Sequence, residues 1–316
     1  MIIHPDKPSL IILLGPTGVG KTDISLKIAE IISEIEIVSA DSMQIYKYMD
    51  IGTAKPDQSV LRRIKHHLID IIEPDQSFDV IQYYNLAKQA ISDILKRNKK
   101  PLLVGGSGLY ISSLINPLFS GPNKNINIRN LLEKKAKLYG NEYLFNQLIK
   151  FDPDSASRIN PNDLKRIIRA IEVFEITGQP LSQLQKRELE KKGEFEYKII
   201  GLTRNRDNLY QRINLRVEKM IKEGFIEEVD MLRKRGYNKN LNSMQGLGYK
   251  ELNKYLDGEI SLDGTIEIIK KNTRYYAKRQ ITWFKNKIKE IEWIDLDENR
   301  EIKVKERIIK IIEEIY

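Results

Sequence analysis

The chain has 316 residues, of which 41% are hydrophobic and 31% are charged. This balance excludes wholesale disorder, and the length allows two domains or one α/β domain with a large insertion. The 53 basic and 44 acidic residues give a formal net charge of +9, which fits either a polyanionic partner or a lysine-rich surface that only aids solubility. The lack of cysteine excludes disulfides and thiolate metal sites and favours a reducing compartment.

The amino-terminal segment carries a continuous apolar run only at residues 10–14. This run is too short for the apolar region of a signal peptide and too short for a membrane span. We therefore expect a cytoplasmic protein that has no membrane partner.

Over the first hundred residues, short apolar runs alternate with helical patterns, as in a parallel sheet with crossover helices. The apolar runs predict strands at residues 10–14, 35–39, 67–71 and 101–104. Helical spacing of apolar residues predicts helices at residues 23–32 and 80–97. The apolar face of the second helix is predicted to contain Ile81, Tyr84, Ala87, Ile91 and Leu95.

The pattern changes after the first hundred residues. Residues 122–192 show no clear strand, are rich in lysine and are interrupted by proline, which predicts a helical insertion. Beyond it, the patterns predict a strand at 197–202, several basic helices within 209–288, a last strand at 292–296 and a final helix. The predicted fold class is α/β, with a core formed by residues 1–120 and 195–316 and a helical insertion at 121–194.

A glycine-rich loop, GPTGVGKT, follows the first predicted strand and opens the first predicted helix. It matches the pattern G-x-x-x-x-G-K-[ST], in which backbone N–H groups and the positive end of the helix face phosphate oxygens. Lys21 would bring a full charge to the terminal phosphate, and the Thr22 hydroxyl would ligate Mg²⁺. The predicted diphosphate-binding residues are Gly15, Pro16, Thr17, Gly18, Val19, Gly20, Lys21 and Thr22.

This loop predicts a sheet of the P-loop NTPase type, flanked by helices on both faces. The loop does not name a reaction, because kinases, ATPases and other transferases all use it. By motif alone, ATP is as suitable a ligand as any other diphosphate or triphosphate.

Two further segments follow predicted strands at the same edge of the sheet. Asp41 comes directly after the second strand, and GGSG at residues 105–108 follows the fourth. Asp41 could act as a general base or hold Mg²⁺ through water, or it could merely cap the following turn. The glycines and the Ser107 hydroxyl suit close contact with a ligand, although a simple helix-start turn explains them equally well.

Other acidic and histidine residues fit an ATPase or a metal site poorly. No convincing second aspartate ends a long apolar run, and the nearest, Asp70, also fits a turn. His66 and His67 have no further histidine or cysteine at a suitable spacing.

Two basic segments lie in the second half of the chain. Residues 270–289 interleave cations with aromatic residues and contain no acid, which suits phosphate contact and base stacking on a helix. The same pattern also fits an amphipathic helix with Tyr276, Trp283 and Phe284 partly in a core and a solvated basic face. A second helix, within residues 160–170, presents Lys165, Arg166 and Arg169 to a possible phosphate.

Taken together, these motifs resemble those of the bacterial tRNA dimethylallyltransferases, also called tRNA isopentenyltransferases. The matching segments occur in order along nearly the whole chain. They are GPTGVGKT at 15–22, SADSMQIY at 39–46, DIGTAKP at 50–56, HHLID at 66–70, GGSGLY at 105–110, NPNDLKRIIRAIEV at 160–173, GLGYKE at 246–251 and YAKRQITWF at 276–284.

The resemblance implies transfer of a dimethylallyl group from dimethylallyl diphosphate to the exocyclic amine of the adenosine 3′ to the anticodon, with release of pyrophosphate. The loop, Lys21 and Mg²⁺ bound at Thr22 would neutralise the leaving diphosphate. Asp41 would be the general base on the amine, and residues 41–44 would hold the flipped adenine. The implied partners are the anticodon stem-loop of tRNA and dimethylallyl diphosphate, and we expect a monomer.

The resemblance also implies a set of tRNA contacts, mainly to backbone and loop. Ser107 stands where threonine is usual, which keeps the hydroxyl, and Gln245 stands where other residues are common. The implied tRNA-binding residues are Asp41, Ser42, Met43, Gln44, Ser107, Arg129, Leu164, Lys165, Arg166, Ile167, Ile168, Gln245, Gly246, Leu247, Gly248, Tyr249, Lys250, Lys278, Arg279, Gln280, Ile281, Thr282, Trp283, Phe284 and Lys285.

Three alternatives use the same loop. The activity of a small-molecule kinase would not explain the helical insertion or the basic helix. An adenylate isopentenyltransferase, which acts on free nucleotide, would show no salt-sensitive tRNA binding. A nucleic-acid-binding ATPase is disfavoured by the poor fit of Asp70 to a magnesium partner.

Overall fold

The computed structural model describes residues 7–117, 119, 121–189, 193–299 and 301–316. Within them, the chain divides into two compact units. The first contains the residues up to Ile115 together with Glu194–Tyr316, and the second is Asn116–Gly193. The two units are described separately below.

The described residues of the first unit form a single sheet of six parallel strands in the order β3-β2-β4-β1-β5-β6. This arrangement confirms the predicted α/β fold class, because parallel neighbours require crossover helices on the faces of the sheet. The strands are β1 (Ser9–Leu14), β2 (Ile35–Ala40), β3 (His66–His67), β4 (Lys100–Gly105), β5 (Glu196–Thr203) and β6 (Ile291–Asp295).

The helices of the described residues connect and flank these strands. In the first unit they are α1 (Lys21–Ile31), α2 (Gln58–Arg63), α3 (Val80–Lys96), α4 (Gly108–Ile115), α10 (Arg206–Lys222), α11 (Phe225–Lys234), α12 (Tyr249–Leu256), α13 (Leu262–Lys287) and α14 (Glu301–Ile315), with a 3₁₀ turn at Ser243–Gln245. In the second unit they are α5 (Ile126–Tyr139), α6 (Asn141–Phe151), α7 (Pro153–Ala156), α8 (Leu164–Thr177) and α9 (Leu181–Leu189).

The central strand β1 supplies both faces of the sheet with apolar side chains. Ile11 and Leu13 pack into one core with residues of α1 and α14, whereas Leu10, Ile12 and Leu14 pack into the core on the other face. Successive side chains of a strand point to opposite faces, so a continuous apolar run is the pattern of a strand buried on both sides. The carboxyl ends of β1, β2 and β4 meet at one edge, which places residues 15, 41 and 106 together.

The third strand is shorter than the sequence predicts. Only His66 and His67 pair with β2, and the expected strand at 67–71 is wrong beyond them. Leu68 and Asp70 have φ values of 64° and 55°, so the backbone leaves the extended conformation. The N–H of Asp70 donates instead to the carbonyl of Gln44, which ties this turn to the segment after β2.

The predicted apolar face of α3 is also partly wrong. The buried residues are Tyr83, Ala87, Ile91 and Ile94, a stripe rotated from the one through Ile81, Tyr84 and Leu95. Two contacts of Tyr83 determine which face of α3 is buried. Its ring stacks on Tyr110 at 3.9 Å between centroids, and its hydroxyl donates to the carbonyl of Ser39. A tyrosine is buried where its hydroxyl finds a partner, which periodicity alone does not reveal.

The second unit is built from α5–α9 around its own apolar core, which includes Leu132, Leu144 and Ile171. A fully buried carboxylate, Glu172, is held there by Arg129 through two hydrogen bonds of 2.7 Å and by Arg169 at 2.8 Å. Burial raises the pKa of Glu172, but the hydrogen bonds from the two arginines outweigh it and bring the pKa to about 2. The charge is therefore retained inside the unit and its partners are held in place.

The carboxyl-terminal part of the first unit has a separate core beside the sheet. Phe225, Val229, Tyr249 and Ile269 pack together there, joining α11, α12 and α13. In the part of the chain that the structure describes, no helix is long and apolar enough to cross a membrane.

Candidate active site

The phosphate loop connects the end of β1 with the start of α1. Glycine is required at different positions of the loop for different structural reasons. Gly18 and Gly20 have φ values of 80° and 113°, a region that favours glycine. Gly15 is needed for close approach, since a Cβ atom there would lie 2.7 Å from the carbonyl oxygen of Leu202 on β5. The motif therefore encodes both a left-handed turn and contact between β1 and β5.

Lys21 is folded back on this loop. Its Nζ donates to the carbonyl oxygens of Gly15 and Pro16, each at 2.9 Å. Burial lowers the pKa of Lys21 to about 8; the charge of Asp41 opposes this shift, and that of Arg216 adds to it. The ammonium is therefore poorly compensated, and an anion would stabilise its charged form.

Arg216, on α10, is the main site residue that the sequence analysis missed. It lines the same cavity as Lys21, and burial lowers the pKa of its guanidinium although the charge of Asp41 opposes the shift. No described residue forms an ion pair or hydrogen bond with this guanidinium. The only signal in the sequence is the spacing of Arg212 and Arg216, which places both on one side of a helix.

Asp41 follows β2 and faces the loop. Its Oδ1 accepts hydrogen bonds from the N–H groups of Met43 at 2.8 Å and Gln44 at 3.4 Å. The turn-capping role considered for this residue is thus present, but it occupies one oxygen. Among the described residues none donates to Oδ2, which leaves that oxygen available to a ligand.

The GGSG segment joins this edge through Ser107. Its N–H donates to the carbonyl of Ala40, and its hydroxyl accepts from the N–H of Ser42 at 2.9 Å. Tyr276 of α13 lies close to the same hydroxyl. Burial and the nearby charge of Asp41 raise the pKa of Tyr276 to about 12, so this phenol stays protonated.

These elements enclose a cavity of about 440 Å³ within the first unit. One part of its wall is polar and contains Lys21, Asp41 and Arg216. The other part is apolar and contains Ile213, Val217, Met220, Phe225 and Ile269. The residues that the sequence analysis assigned to the site and that the structure brings into this wall are Thr17, Lys21, Thr22, Asp41, Ser42, Met43, Gln44, Gln245, Leu247, Gly248, Tyr249, Arg279 and Gln280.

A second cavity, of about 850 Å³, adjoins the first on the outer side of the phosphate loop. The two share Lys21, Thr22, Ala54, Arg216 and Met220 in their walls. The phosphate-binding groups are therefore approachable from two directions.

The segment DIGTAKP forms part of the walls of both cavities and is fixed by the contacts of its buried lysine. Lys55 is almost fully buried and donates to Asp50 and Asp70, each at 2.5 Å, and to the carbonyl of Tyr46. Asp70 is therefore paired with a lysine. This pairing is consistent with the poor fit of Asp70 to a magnesium ligand in the sequence analysis.

The remaining residues of the predicted tRNA-binding set differ in exposure. Lys165, Arg166, Lys250, Lys278, Thr282 and Lys285 are exposed, while Leu164, Gly246, Ile281 and Trp283 are half-buried. Ile167, Ile168, Tyr249, Gln280 and Phe284 are buried, and their contact with tRNA stays a prediction. Arg129 is engaged by Glu172, and its contact with tRNA stays a prediction.

The 26-residue helix α13 is amphipathic, as one of the two interpretations expects, and its contact with RNA stays a prediction. Phe284 and Ala277 enter the cores, whereas Lys278, Arg279 and Lys285 are exposed. Because core and cations are on separate faces, the helix can pack on the sheet and still present charge to a polyanion.

A parallel sheet with a phosphate loop at its carboxyl edge defines a protein of the P-loop class. The family model described as IPP transferase matches residues 44–287. A protein of Alkaliphilus metalliredigens named tRNA dimethylallyltransferase is 47% identical over 308 residues, which cover 97% of this chain and 98% of the relative. One of Alkaliphilus oremlandii with the same name is 48% identical over 92% of each chain.

Solved structures agree. The tRNA Δ(2)-isopentenylpyrophosphate transferase of Staphylococcus epidermidis has a TM-score of 0.71 and 38% identity, with 98% of this chain and 100% of that chain covered. A eukaryotic dimethylallyltransferase acting on tRNA has a TM-score of 0.82 and 28% identity, covering 96% of this chain and 78% of that chain. The chain belongs to the IPP transferase family. This confirms the resemblance drawn from the motifs and the predicted transferase class.

Proposed function

We propose that this protein transfers a dimethylallyl group from dimethylallyl diphosphate to the exocyclic amine of the adenosine 3′ to the anticodon in tRNA, releasing pyrophosphate. The observation that carries the proposal is that one cavity is lined by residues of the phosphate loop, by the cations Lys21, Arg216 and Arg279, and by Asp41, one of whose oxygens accepts no hydrogen bond from a described residue. Family membership supports the reaction class, and names of the relatives support tRNA as the acceptor.

The donor end of the cavity suits an allylic diphosphate. N–H groups of the loop, Lys21 and Arg216 form a positive, partly buried surface on which a diphosphate is stabilised as a leaving group. The apolar wall formed by Ile213, Val217 and Met220 suits a short hydrocarbon. Transfer breaks the bond between C1 and the diphosphate oxygen, and the bonding electrons leave with pyrophosphate.

Among the residues that line the cavity, Thr22 is the one that we assign to Mg²⁺. Mg²⁺ uses few protein oxygens together with substrate phosphates and water, and Thr22 offers a hydroxyl beside the loop. Within the described residues no group of three or more histidine, cysteine or acidic side chains could hold a metal by itself. Thr22 would therefore bind the ion jointly with the diphosphate, where it adds positive charge.

The acceptor end suits a base that has left its stack. Asp41 and Gln44 lie in the same wall as Lys21, and an adenine must be flipped from the RNA to enter such a cavity. The amine forms its new bond to C1 and releases a proton, which the open oxygen of Asp41 receives. The fixed oxygen keeps the carboxylate oriented during this step.

The surroundings of the cavity suit RNA. Arg279 lines the wall, and Lys278 and Lys285 are exposed on the same helix. These cations are placed to bind phosphates of a loop whose base enters the cavity. The proposal includes action as a monomer and, because the acceptor is tRNA, in the cytoplasm.

The proposal is tested by mass spectrometry of unmodified tRNA after incubation with Mg²⁺ and either dimethylallyl diphosphate or ATP. We expect one dimethylallyl group on the adenosine 3′ to the anticodon with the first donor and no consumption of ATP with the second. A free adenosine nucleotide serves as a third arm. Modification of the nucleotide but not of tRNA would overturn the assigned acceptor, and ATP turnover without prenyl transfer would favour a kinase or an ATPase.

A further inference from the structure

The side-chain amide of Gln280 spans two loops of the site. Its Oε1 accepts a hydrogen bond from the N–H of Thr17 at 2.8 Å, and its Nε2 donates to the carbonyl of Gly106 at 2.8 Å. The residue is 7% exposed and lies on α13, 263 positions from Thr17. One buried amide thus joins the phosphate loop to the GGSG segment.

The surroundings are shaped to admit this amide. A Cβ atom at Gly106 would lie 2.5 Å from Nε2 of Gln280 and 3.3 Å from the carbonyl oxygen of Gly15. Any larger residue at position 106 would therefore displace the Gln280 amide and crowd the carbonyl of Gly15. Burial of a primary amide is costly unless its oxygen and nitrogen find partners, and here each has one.

The hydrogen bond from Thr17 to Gln280 lies in the part of the phosphate loop that also contacts Lys21. Thr17 lines the cavity, and no described residue forms a hydrogen bond with its hydroxyl. The two carbonyls that precede it, those of Gly15 and Pro16, accept from Lys21. The orientation of the Thr17 peptide therefore sets both the direction of a free hydroxyl in the cavity and the position of the lysine.

Two neighbours of Gln280 contact the same group of loops. Tyr276, one turn earlier, lies close to Ser107, and the ring of Trp283 packs directly over Gly108. The exposed cations Lys278 and Arg279 lie between these residues in the sequence. The inner face of α13 thus holds the loops, while its outer face carries the charge.

We propose that Gln280 is a positioning residue for the diphosphate rather than a contact for RNA. Its amide holds the Thr17 peptide and the GGSG segment at the separation that diphosphate binding and transfer require. The inference rests on the proposed function for the identity of the donor. Its role is exerted through Thr17 and Gly106, to which the oxygen and one N–H of its amide are committed.

The test compares Gln280→Met, which keeps the size and removes both hydrogen bonds, with Gln280→Glu. The matched control is Thr265→Val, which removes a buried hydroxyl from the same helix, far along it from the site. For each variant, the Kd of inorganic pyrophosphate is measured by calorimetry, the Kd of tRNA by filter binding, and kcat and KM with dimethylallyl diphosphate. Circular dichroism and thermal unfolding verify the fold.

We expect Gln280→Met to weaken pyrophosphate binding and to lower kcat/KM for the donor roughly 10-fold each, with tRNA affinity unchanged. Thr265→Val should leave all three quantities unchanged. Gln280→Glu adds a readout that general loosening would not give. A protonated carboxyl supplies one acceptor and one donor, the two functions that the amide uses here, so the pyrophosphate Kd of this variant relative to wild type should recover as the pH falls.

Three results would overturn the inference. They are an unchanged pyrophosphate Kd in Gln280→Met, a loss confined to tRNA binding, and failure of both Gln280 variants to fold, because the assigned role is local. Calorimetry with pyrophosphate needs no transfer step. An unchanged Kd therefore contradicts this inference alone, whereas absence of prenyl transfer by the wild type contradicts the proposed function.

Discussion

The carboxylate of Glu228 accepts a hydrogen bond of 2.6 Å from the hydroxyl of Tyr249, and both side chains are buried. The same carboxylate accepts from the N–H groups of Asp50, Ile51 and Gly52, at 2.8, 2.6 and 3.2 Å. A carboxylate on α11 thus anchors the DIGTAKP segment, part of which lines the cavity. It acts by accepting hydrogen bonds from four donors, of which the Tyr249 hydroxyl is buried and would otherwise lack this partner.

Glu228→Ala should therefore lower the free energy of unfolding by about 3–5 kcal/mol, since it leaves the Tyr249 hydroxyl and three backbone N–H groups unpaired. Thermal and urea unfolding measure the change. Glu227→Ala, one residue earlier and exposed, is the matched control and should change stability by less than about 0.5 kcal/mol. Equal effects of the two substitutions would contradict the anchoring role.

Asp41→Ala is expected to reduce turnover roughly 100-fold or more while tRNA binding is retained, because the amine loses its base. Asp41→Asn separates this role from capping. Asparagine keeps an oxygen for the N–H groups of Met43 and Gln44 but cannot take a proton. Single-turnover rates should fall similarly in both variants, and near-normal turnover of Asp41→Asn would show that only the cap matters.

The pH dependence of donor binding should report Lys21. Its pKa of about 8 in the free protein lies below the ordinary 10.5, so the ammonium is present below pH 8 and is lost above it. Because diphosphate binds the charged form, kcat/KM for the donor should fall on the alkaline side with an apparent pKa of about 8. Measurements from about pH 6 to about pH 10 would show this limb.

Lys21→Arg is the control for this limb, since an arginine remains charged throughout the range. It should remove the alkaline fall even if its absolute rate is lower. A fall at pH 8 that persists in this variant would assign the titration to another group.

Replacement of Lys278 and Arg279 by glutamine should weaken tRNA binding and reduce the slope of log Kd against log salt by about 1–2, because fewer counterions are released. Both side chains are exposed on α13. Lys303→Gln together with Lys310→Gln, exposed on α14, is the charge-matched control and should leave the slope unchanged. An unchanged slope in the α13 double variant would show that these cations do not bind tRNA and serve only solubility.

Local patterns were sufficient for much of the fold and for the phosphate loop. The strand at residues 10–14 is a continuous apolar run, and the loop after it has glycines where the backbone needs them, so both could be predicted from neighbours in the chain. The third strand and the face of α3 could not, because positive φ at Leu68 and the stacking of Tyr83 on Tyr110 depend on contacts with distant segments.

The site shows the same division. Lys21, Thr22 and Asp41 follow from motifs and from the rule that ligands bind at the carboxyl edge of a parallel sheet, and the order of the motifs was enough to indicate the family. Arg216 and the buried amide of Gln280 lie in helices whose sequence shows only basic and apolar periodicity. Their roles arise where α10 and α13 cross the edge of the sheet. A cation that no described residue pairs with, and an amide with two partners, are defined by what surrounds them. The sequence by itself determined which chemistry is carried, and only the tertiary structure decided which side chains hold that chemistry in place.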